Sequence, residues 1–193
     1  VSKTLPGYRT ILILPAVEVN GVPWIVTPTG LVDYTAPTAA ALNVYQAITK
    51  PSDTNASQGG NISQVVIDDL ALGLTASDID NTKTVCSKND VGQPTLYNFD
   101  AKLNAKRDAA ITGDSTANLF RDLFRAPDVA YFIADRVRGQ KDSTETFAIG
   151  DEVDLYYVNT DNPIPDYGDK KYLIHKVELI QKGIVNTKFT LTA

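Results

Sequence analysis

The chain has 193 residues, of which 43% are hydrophobic, and carries a formal net charge of −5. That hydrophobic share suffices for a packed core and argues against a disordered chain, while the acidic balance argues against a basic grip on nucleic acid. Cys86 is the only cysteine, so an internal disulfide is excluded, and no run approaches the roughly 18 apolar residues of a membrane span.

Lys3 and Arg9 flank the approach to an apolar I-L-I-L-P-A-V run. Pro15, Glu18 and the lack of a small-x-small cleavage site oppose a secretion signal, so the expectation is folding in a reducing cytoplasm. The two N-x-S triplets at Asn55 and Asn61 are then read as chance.

Tyr8–Val19 alternates and is rich in β-formers, which predicts a strand in which Pro15 marks an edge, bulge or break. Asn20-Gly21 is a turn pair, Trp24–Val26 a short strand, and Pro28-Thr29-Gly30 the next turn. Ala36–Ala47 reads as a short helix capped by Thr38. Lys50–Asn61, rich in Pro, Ser, Asn and Gly, reads as an exposed loop. Val65–Ile67 centres the next strand, and Asp78–Gln93 is a long polar loop.

Tyr97–Asp108 gives the clearest strand. Tyr97, Phe99, Ala101, Leu103 and Ala105 share an apolar face; Asn98, Asp100, Lys102, Asn104, Lys106 and Asp108 share a wet one. The segment from Ser115 organises the core. Leu119, Phe120, Leu123 and Phe124 fall on one helical face, Ser115 or Thr116 caps the start, and Pro127 ends the helix. Burying those four side chains is worth about 1.5–3 kcal/mol each. A strand from Val129 follows, then a polar loop at Gln140–Thr146 and a strand at Phe147–Val158. Thr160–Lys171 is a proline-bearing loop, and Tyr172–Gln181 with Ile184–Thr192 reads as a hairpin about Lys182-Gly183. With no repeat and no linker, a single domain over residues 1–193 is expected, mainly β with one prominent flanking helix.

Chemistry is sparse. Gly59-Gly60 lacks the spacing and the Lys-Ser/Thr of a phosphate loop. His175, the only histidine, sits within an alternating strand and reads as structural or surface. One Cys and one His do not make a zinc site. The acids at Asp78, Asp80, Asp161, Asp166 and Asp169 fit turns better than a calcium loop. Asp151 and Asp154 are poorly placed as a catalytic pair. Arg121, Arg125, Arg136 and Arg138 read as a solvated or intersubunit salt-bridge face, with Arg121 and Arg125 four apart on the helix. No enzyme and no cofactor is expected; an acidic β-rich chain with long polar loops points to an assembly part.

In their order, several segments resemble the major tail (tail tube) proteins of long-tailed, siphovirus-type phages, especially those of actinobacteria. They are A-P-T-A-A-A-L-N at Ala36–Asn43, D-L-A-L-G-L-T-A-S-D at Asp69–Asp78, T-V-C at Thr84–Cys86 and the strand ending Arg107-Asp108. L-F-R-A-P-D at Leu123–Asp128 runs into Y-F-I-A-D-R-V, followed by F-A-I-G-D-E-V at Phe147–Val153, T-D-N-P at Thr160–Pro163 and the closing strands.

The resemblance implies a β-sandwich or half-barrel with a flanking helix and an N-terminal arm. It implies six copies per ring, with rings stacked into a virion tail channel through which genomic DNA passes without specific binding. The other partners are tail components such as the tape measure and tail terminator, with no membrane involved and assembly in the host cytoplasm. Asn98, Asp100, Lys102, Asn104 and Lys106 are then candidates to line the lumen. Ring-to-ring contact falls to the loop bearing Asp78, Asp80, Lys83, Lys88 and Asp90, with help from the 50–61 loop. Arg121 and Arg125 are candidates for intersubunit salt bridges. The competing readings are an immunoglobulin-like β-sandwich adhesion module, a type VI secretion-like tube protein and a metal-assisted hydrolase.

Overall fold

The structure, a computed structural model, describes residues 8–193 except 68–69, 77, 81–92, 97, 109, 111, 137–140, 163 and 167–173, with backbone alone at 78–80, 93–96 and 165–166. In chain order its elements are β1 (Thr10–Val19), β2 (Val22–Thr27), β3 (Gly30–Asp33), α1 (Ala39–Gln46), β4 (Gly60–Asn61), β5 (Ala71–Leu74), β6 (Asp78–Asp80), β7 (Gln93–Leu96), β8 (Phe99–Lys106), α2 (Thr116–Leu123), β9 (Ala130–Arg136), β10 (Glu152–Thr160), β11 (Ile164–Asp166) and β12 (Ile174–Thr190). The expected mainly β architecture is present as an open antiparallel sheet in the order β3-β2-β1-β9-β10-β12-β8-β5. β4 pairs with β1 and β11 with β12, while β6 and β7 form a separate two-stranded sheet. Two short helices dress it, α1 as well as α2.

The centre is β9, buried from Tyr131 to Arg136 and paired with β1 on one side and β10 on the other. Burial on both faces explains why its sequence is nearly continuous in apolar residues rather than cleanly alternating. α2 covers one face. Ser115 accepts from the Asn118 N–H at 3.3 Å to cap it, and Leu119, Phe120, Leu123 and Phe124 are all buried. Phe124 meets the Tyr131 ring edge-on at 6.0 Å, and the Tyr131 hydroxyl donates to Leu123 O at 3.0 Å, an otherwise unclaimed carbonyl in the last helical turn. The helix stops at Leu123, so Arg125 lies beyond it and does not share a helical face with Arg121.

The other face is crossed by chain returning from the β3 edge. Tyr34 stacks on Phe132 at 5.5 Å, Phe132 lies tilted against Tyr157 at 4.9 Å, and Tyr34 O accepts from Asn186 Nδ2 on β12 at 3.4 Å. α1, capped by Thr38 as expected, has Tyr45 fully buried with its hydroxyl on Val26 O at 2.9 Å.

Pro15 is tolerated in an interior strand for a local reason. Ile11 turns its N–H to Ser63 Oγ at 2.8 Å and its C=O to Ile62 N at 3.1 Å, so odd residues of β1 address that edge. Pro15 therefore aims its missing donor at that edge, between Ile13, which pairs with β4, and Ala16, which pairs with β2.

Four expectations change. The closing hairpin is one 17-residue strand, β12. Gly183 (φ +71°) and Lys188 (φ +57°) form bulges that let it bend while staying on β10, where pairing passes from Tyr156↔Val185 to Val158↔Gln181. Asp154 Oδ1 accepts the Lys188 N–H at 2.6 Å and holds the second bulge. The strand expected at Val65–Ile67 is a single bridge, Val66↔Ala105; the regular strand is β5. The strand expected from Phe147 begins at Glu152, because Gly150 at φ +92° turns the chain first. Finally, Lys50–Asn61 is not wholly exposed: Gly59, Gly60 and Asn61 are buried, and the last two form β4.

Candidate functional site

The surfaces left bare by this fold are the two ends of the sheet, one face of β8, the β6–β7 hairpin and a cleft beside α2. Each edge is short. β3 leaves Leu31 49% exposed and β5 leaves Leu74 56% exposed. Among the described residues neither strand has a neighbour on its outer side. Thr75 N donates to Asn98 O at 2.9 Å, so by alternation Leu72 and Leu74 turn their N–H groups outward.

On β8, Asp100 and Lys106 are exposed and Asn98 and Lys102 half-exposed, as a wet face requires. Asn104 departs from it: the side chain is buried, and its carbonyl binds Ile67 N at 2.9 Å. Alternation assigned Asn104 correctly to a face but carries no information on what covers that face locally. Lys102 stands opposite Glu178 of β12, with Nζ 3.3 Å from Oε1. An acid from a neighbouring strand thus offsets this lysine.

The ends of the Asp78–Gln93 segment are paired strands rather than loop: Asp78↔Leu96, Ile79↔Pro94 and Asp80↔Gln93. Lys83, Lys88, Asp90 and Cys86 lie outside the described residues, as does Arg138.

The arginines divide. Arg121 pairs with its neighbour Asp122 at 2.8 Å, and Arg125 is exposed. Arg136, read as part of a solvated face, is wholly buried. Its Nη2 donates to Thr10 Oγ1, Asp142 O and Glu145 O, each at 3.0 Å. Its Nη1 donates to Thr146 O at 3.3 Å and Asp151 Oδ2 at 3.4 Å, and the guanidinium lies 4.3 Å from the Phe147 ring centre. Burial lowers its pKa, with Asp151 opposing that shift; a guanidinium remains charged in proteins even so. The residue thus ties the 142–151 turn to the core. Alternation along β9 gave no sign of this role, because the partners are carbonyls of the turn that follows the strand, at Asp142, Glu145 and Thr146, and strand alternation does not extend to them.

Asn61 and Gln46 continue that anchorage. Asn61 Nδ2 reaches Ser143 O at 2.8 Å and Gln46 Oε1 at 3.2 Å, and Gln46 Nε2 reaches Ser143 O at 2.7 Å. Arg9 forms a two-point pair with Asp135, Nε to Oδ1 at 3.0 Å and Nη2 to Oδ2. Burial pushes the Asp135 carboxyl up, and Arg9 pulls against that shift.

Beside α2 a cleft of about 480 Å³ is lined by Thr112, Phe120, Arg121, Phe124, Arg125, His175 and Val177. His175 is buried at its wall, where desolvation, then Arg107 and Arg121, hold the imidazole below its usual pKa.

Among the described residues no group of three or more His, Cys, Asp or Glu could hold a metal ion, and no helix is long and apolar enough to cross a membrane. Arg136, Asn61 and Gln46 direct most of their donors at the chain's own carbonyls, which is an anchoring chemistry. No curated protein matches the chain. Residues 19–189 match the family model for phage tail tube protein, so the chain belongs to that family and is a structural subunit of a phage tail.

Proposed function

We propose that six copies of this subunit close into a ring, and that rings stack into a tube through which DNA is ejected. The observation that carries this is the sheet order, which ends in two short strands, β3 and β5, with outward-facing backbone groups and an exposed leucine each. Such edges invite pairing with another chain. Joining one end of a sheet to the opposite end of the next is a head-to-tail contact, which makes rings when its rotation closes.

Asn98, Asp100, Lys102 and Lys106 line the lumen in this reading, with Asn104 behind them. Duplex DNA carries one negative charge per roughly 1.7 Å, and a wall whose lysines are offset by acids, as Lys102 is by Glu178, does not hold phosphates. The β6–β7 hairpin and the chain between its strands serve ring-to-ring contact, and the tape measure and tail terminator meet the tube's interior and end. Assembly takes place in the host cytoplasm.

Sedimentation and negative-stain imaging of the concentrated protein test this. Rings or tubes with a channel wide enough for a duplex are expected. A monomer at every concentration, both alone and mixed with the other tail components, overturns it.

A further inference from the structure

We propose that the exposed apolar face of the β1–β2–β3 ribbon is the seat of a second copy of this chain, whose β5 edge runs antiparallel to β3 and sets its Leu74 opposite Leu31. The inference rests on the tube reading above and adds to it the register and the packing of the joint.

The ribbon's register fixes what each face carries. Val19 lies opposite Val22, Val17 opposite Trp24 and Val26 opposite Leu31, so these six side chains share one face. Val17, Val19, Val22 and Leu31 are 38–49% exposed, and Trp24 and Val26 are half-buried. Among the ribbon residues on that face only Asp33 is charged, and its Oδ1 already accepts from the Thr35 N–H and hydroxyl, each at 2.8 Å. The other face holds Pro23, Ile25 and Thr27, which are buried. An antiparallel ribbon with one dry face ordinarily keeps a polar one toward water. Here the outer face is apolar as well, and a contiguous exposed apolar stripe marks an interaction surface.

Three properties of the opposite end of the sheet fit it to this stripe. The first is the face. Followed through the pairings from β3 to β5, Leu31 shares a face with Val17, Tyr131, Val158, Val177 and finally Leu74. That is the α2 side, opposite to Asp100 and Lys102, so the stripe does not compete with a lumen. The second is direction. The path β3-β2-β1-β9-β10-β12-β8-β5 has eight strands, each antiparallel to the next, so β3 and β5 run opposite ways. A ring rotation exchanges neither faces nor directions, and it therefore brings β5 of one copy antiparallel to β3 of the next with both leucines on the same side. The third is the backbone. Thr27 and Gly30 close a two-residue turn and bond each other, so by alternation Leu31 turns its N–H and C=O outward. Leu74 does the same, because Thr75 N points inward to Asn98 O. Leu31 and Leu74 can thus exchange both backbone hydrogen bonds, and the apolar row then runs unbroken as Val26, Leu31, Leu74 and Phe99 across the joint.

Trp24 is the chain's only tryptophan and stands on the stripe, one strand from the joint, so its fluorescence reports on the seat. Emission maximum and acrylamide quenching are compared in wild-type subunits and assembled tubes. In a Cys86→Ser background, subunits carrying Leu31→Cys are mixed with subunits carrying Leu74→Cys, assembled and oxidised, and the double variant is treated alike. Opposed, mutually bonded residues lie about 5.5 Å apart at Cα, within reach of a disulfide. We expect a blue-shifted Trp24 emission on assembly with quenching reduced severalfold. We also expect 31–74 dimers from the mixture, a ladder beyond the dimer from the double variant, and no disulfide from either single variant alone. Leu31→Lys should keep the subunit's melting temperature and lower tube yield roughly tenfold, because the joint desolvates the introduced charge.

Tubes in which Trp24 stays as quenchable as in the free subunit, or in which 31–74 links are absent or replaced by 31–31 links, overturn the joint and leave the tube reading standing. Should the cysteine subunits not assemble, the wild-type Trp24 comparison decides alone. A wild-type protein that assembles neither by itself nor with the other tail components overturns both.

Discussion

Arg136 and Asp151 form an ion pair, Nη1 to Oδ2 at 3.4 Å, whose cationic half has no exposed surface. The same guanidinium serves the carbonyls of Asp142, Glu145 and Thr146, and Asp151 is held from its far side by Lys141 Nζ at 2.7 and 2.9 Å. Arg136→Met keeps much of the volume but strands three carbonyls and a carboxylate. It is expected to cost about 3–5 kcal/mol of stability, as breaking a buried pair does, measured by urea unfolding. Lys141→Ala, at a more exposed partner, should cost no more than about 1 kcal/mol.

Acid should loosen the same turn. Burial pushes the Asp151 carboxyl up, but the bonds from Lys141 and the Ala148 N–H outweigh it, and the folded pKa lies below the ordinary value. Asp142 is lowered as well, by the Thr144 hydroxyl and N–H. A depressed acid contributes stability above its unfolded pKa of about 3.9 and loses it as pH falls through the folded value. These two acids should therefore make unfolding free energy rise with pH in the acidic range, against the opposite contribution of Asp135, whose raised pKa favours the folded state at low pH. Asp151→Asn should reduce that slope, and an unaltered slope would refute the assignment.

Gly59 and Gly60 are packing positions. A Cβ on Gly59 would run into Ile13 O and come within 2.7 Å of Tyr45 Cδ1; one on Gly60 would sit 2.8 Å from Leu119 Cδ2 and 2.9 Å from Ile48 O. Gly59→Ala should cost at least about 1–3 kcal/mol through overpacking. Gly73→Ala, with open space at its Cβ, should stay within about 0.5 kcal/mol of wild type. Thermal denaturation of both variants separates a steric effect from a general glycine effect.

The free edge can be blocked without touching the core. Leu74 is exposed and its N–H points away from β8, so Leu74→Pro removes a donor that is unused among the described residues. Far-UV circular dichroism and melting temperature should stay near wild type while tube formation is lost. Wild-type tube yield from this variant would show that β5 does not pair between subunits.

Legibility in the sequence followed the range of the interactions. The quartet Leu119, Phe120, Leu123 and Phe124, its Ser115 cap and the Thr38 cap of α1 were all readable, because helical periodicity and capping join residues within one turn of each other. So was the two-faced strand at Phe99–Lys106, apart from Asn104. Lys182-Gly183 misled because a glycine at positive φ serves a bulge as well as a turn, and only the neighbouring strand β10 distinguishes them. Arg136 misled because a charged residue on a strand is ordinarily solvated. Its burial depends on the 142–151 turn folding over it.

The amino-acid sequence by itself determined a mainly β, acidic chain with its helices placed and with little sign of a catalytic cluster. Those properties follow from composition and from contacts a few residues apart. The tertiary structure decided which strands end the sheet, that β12 spans two sets of partners, that Arg136 and Gly59 belong to the core, and that His175 meets Arg121 and Arg125 at one cleft. Each of these depends on chain segments beyond the reach of one helical turn or one strand repeat meeting in space, and a local pattern carries no record of which of its many possible partners will be the one that arrives.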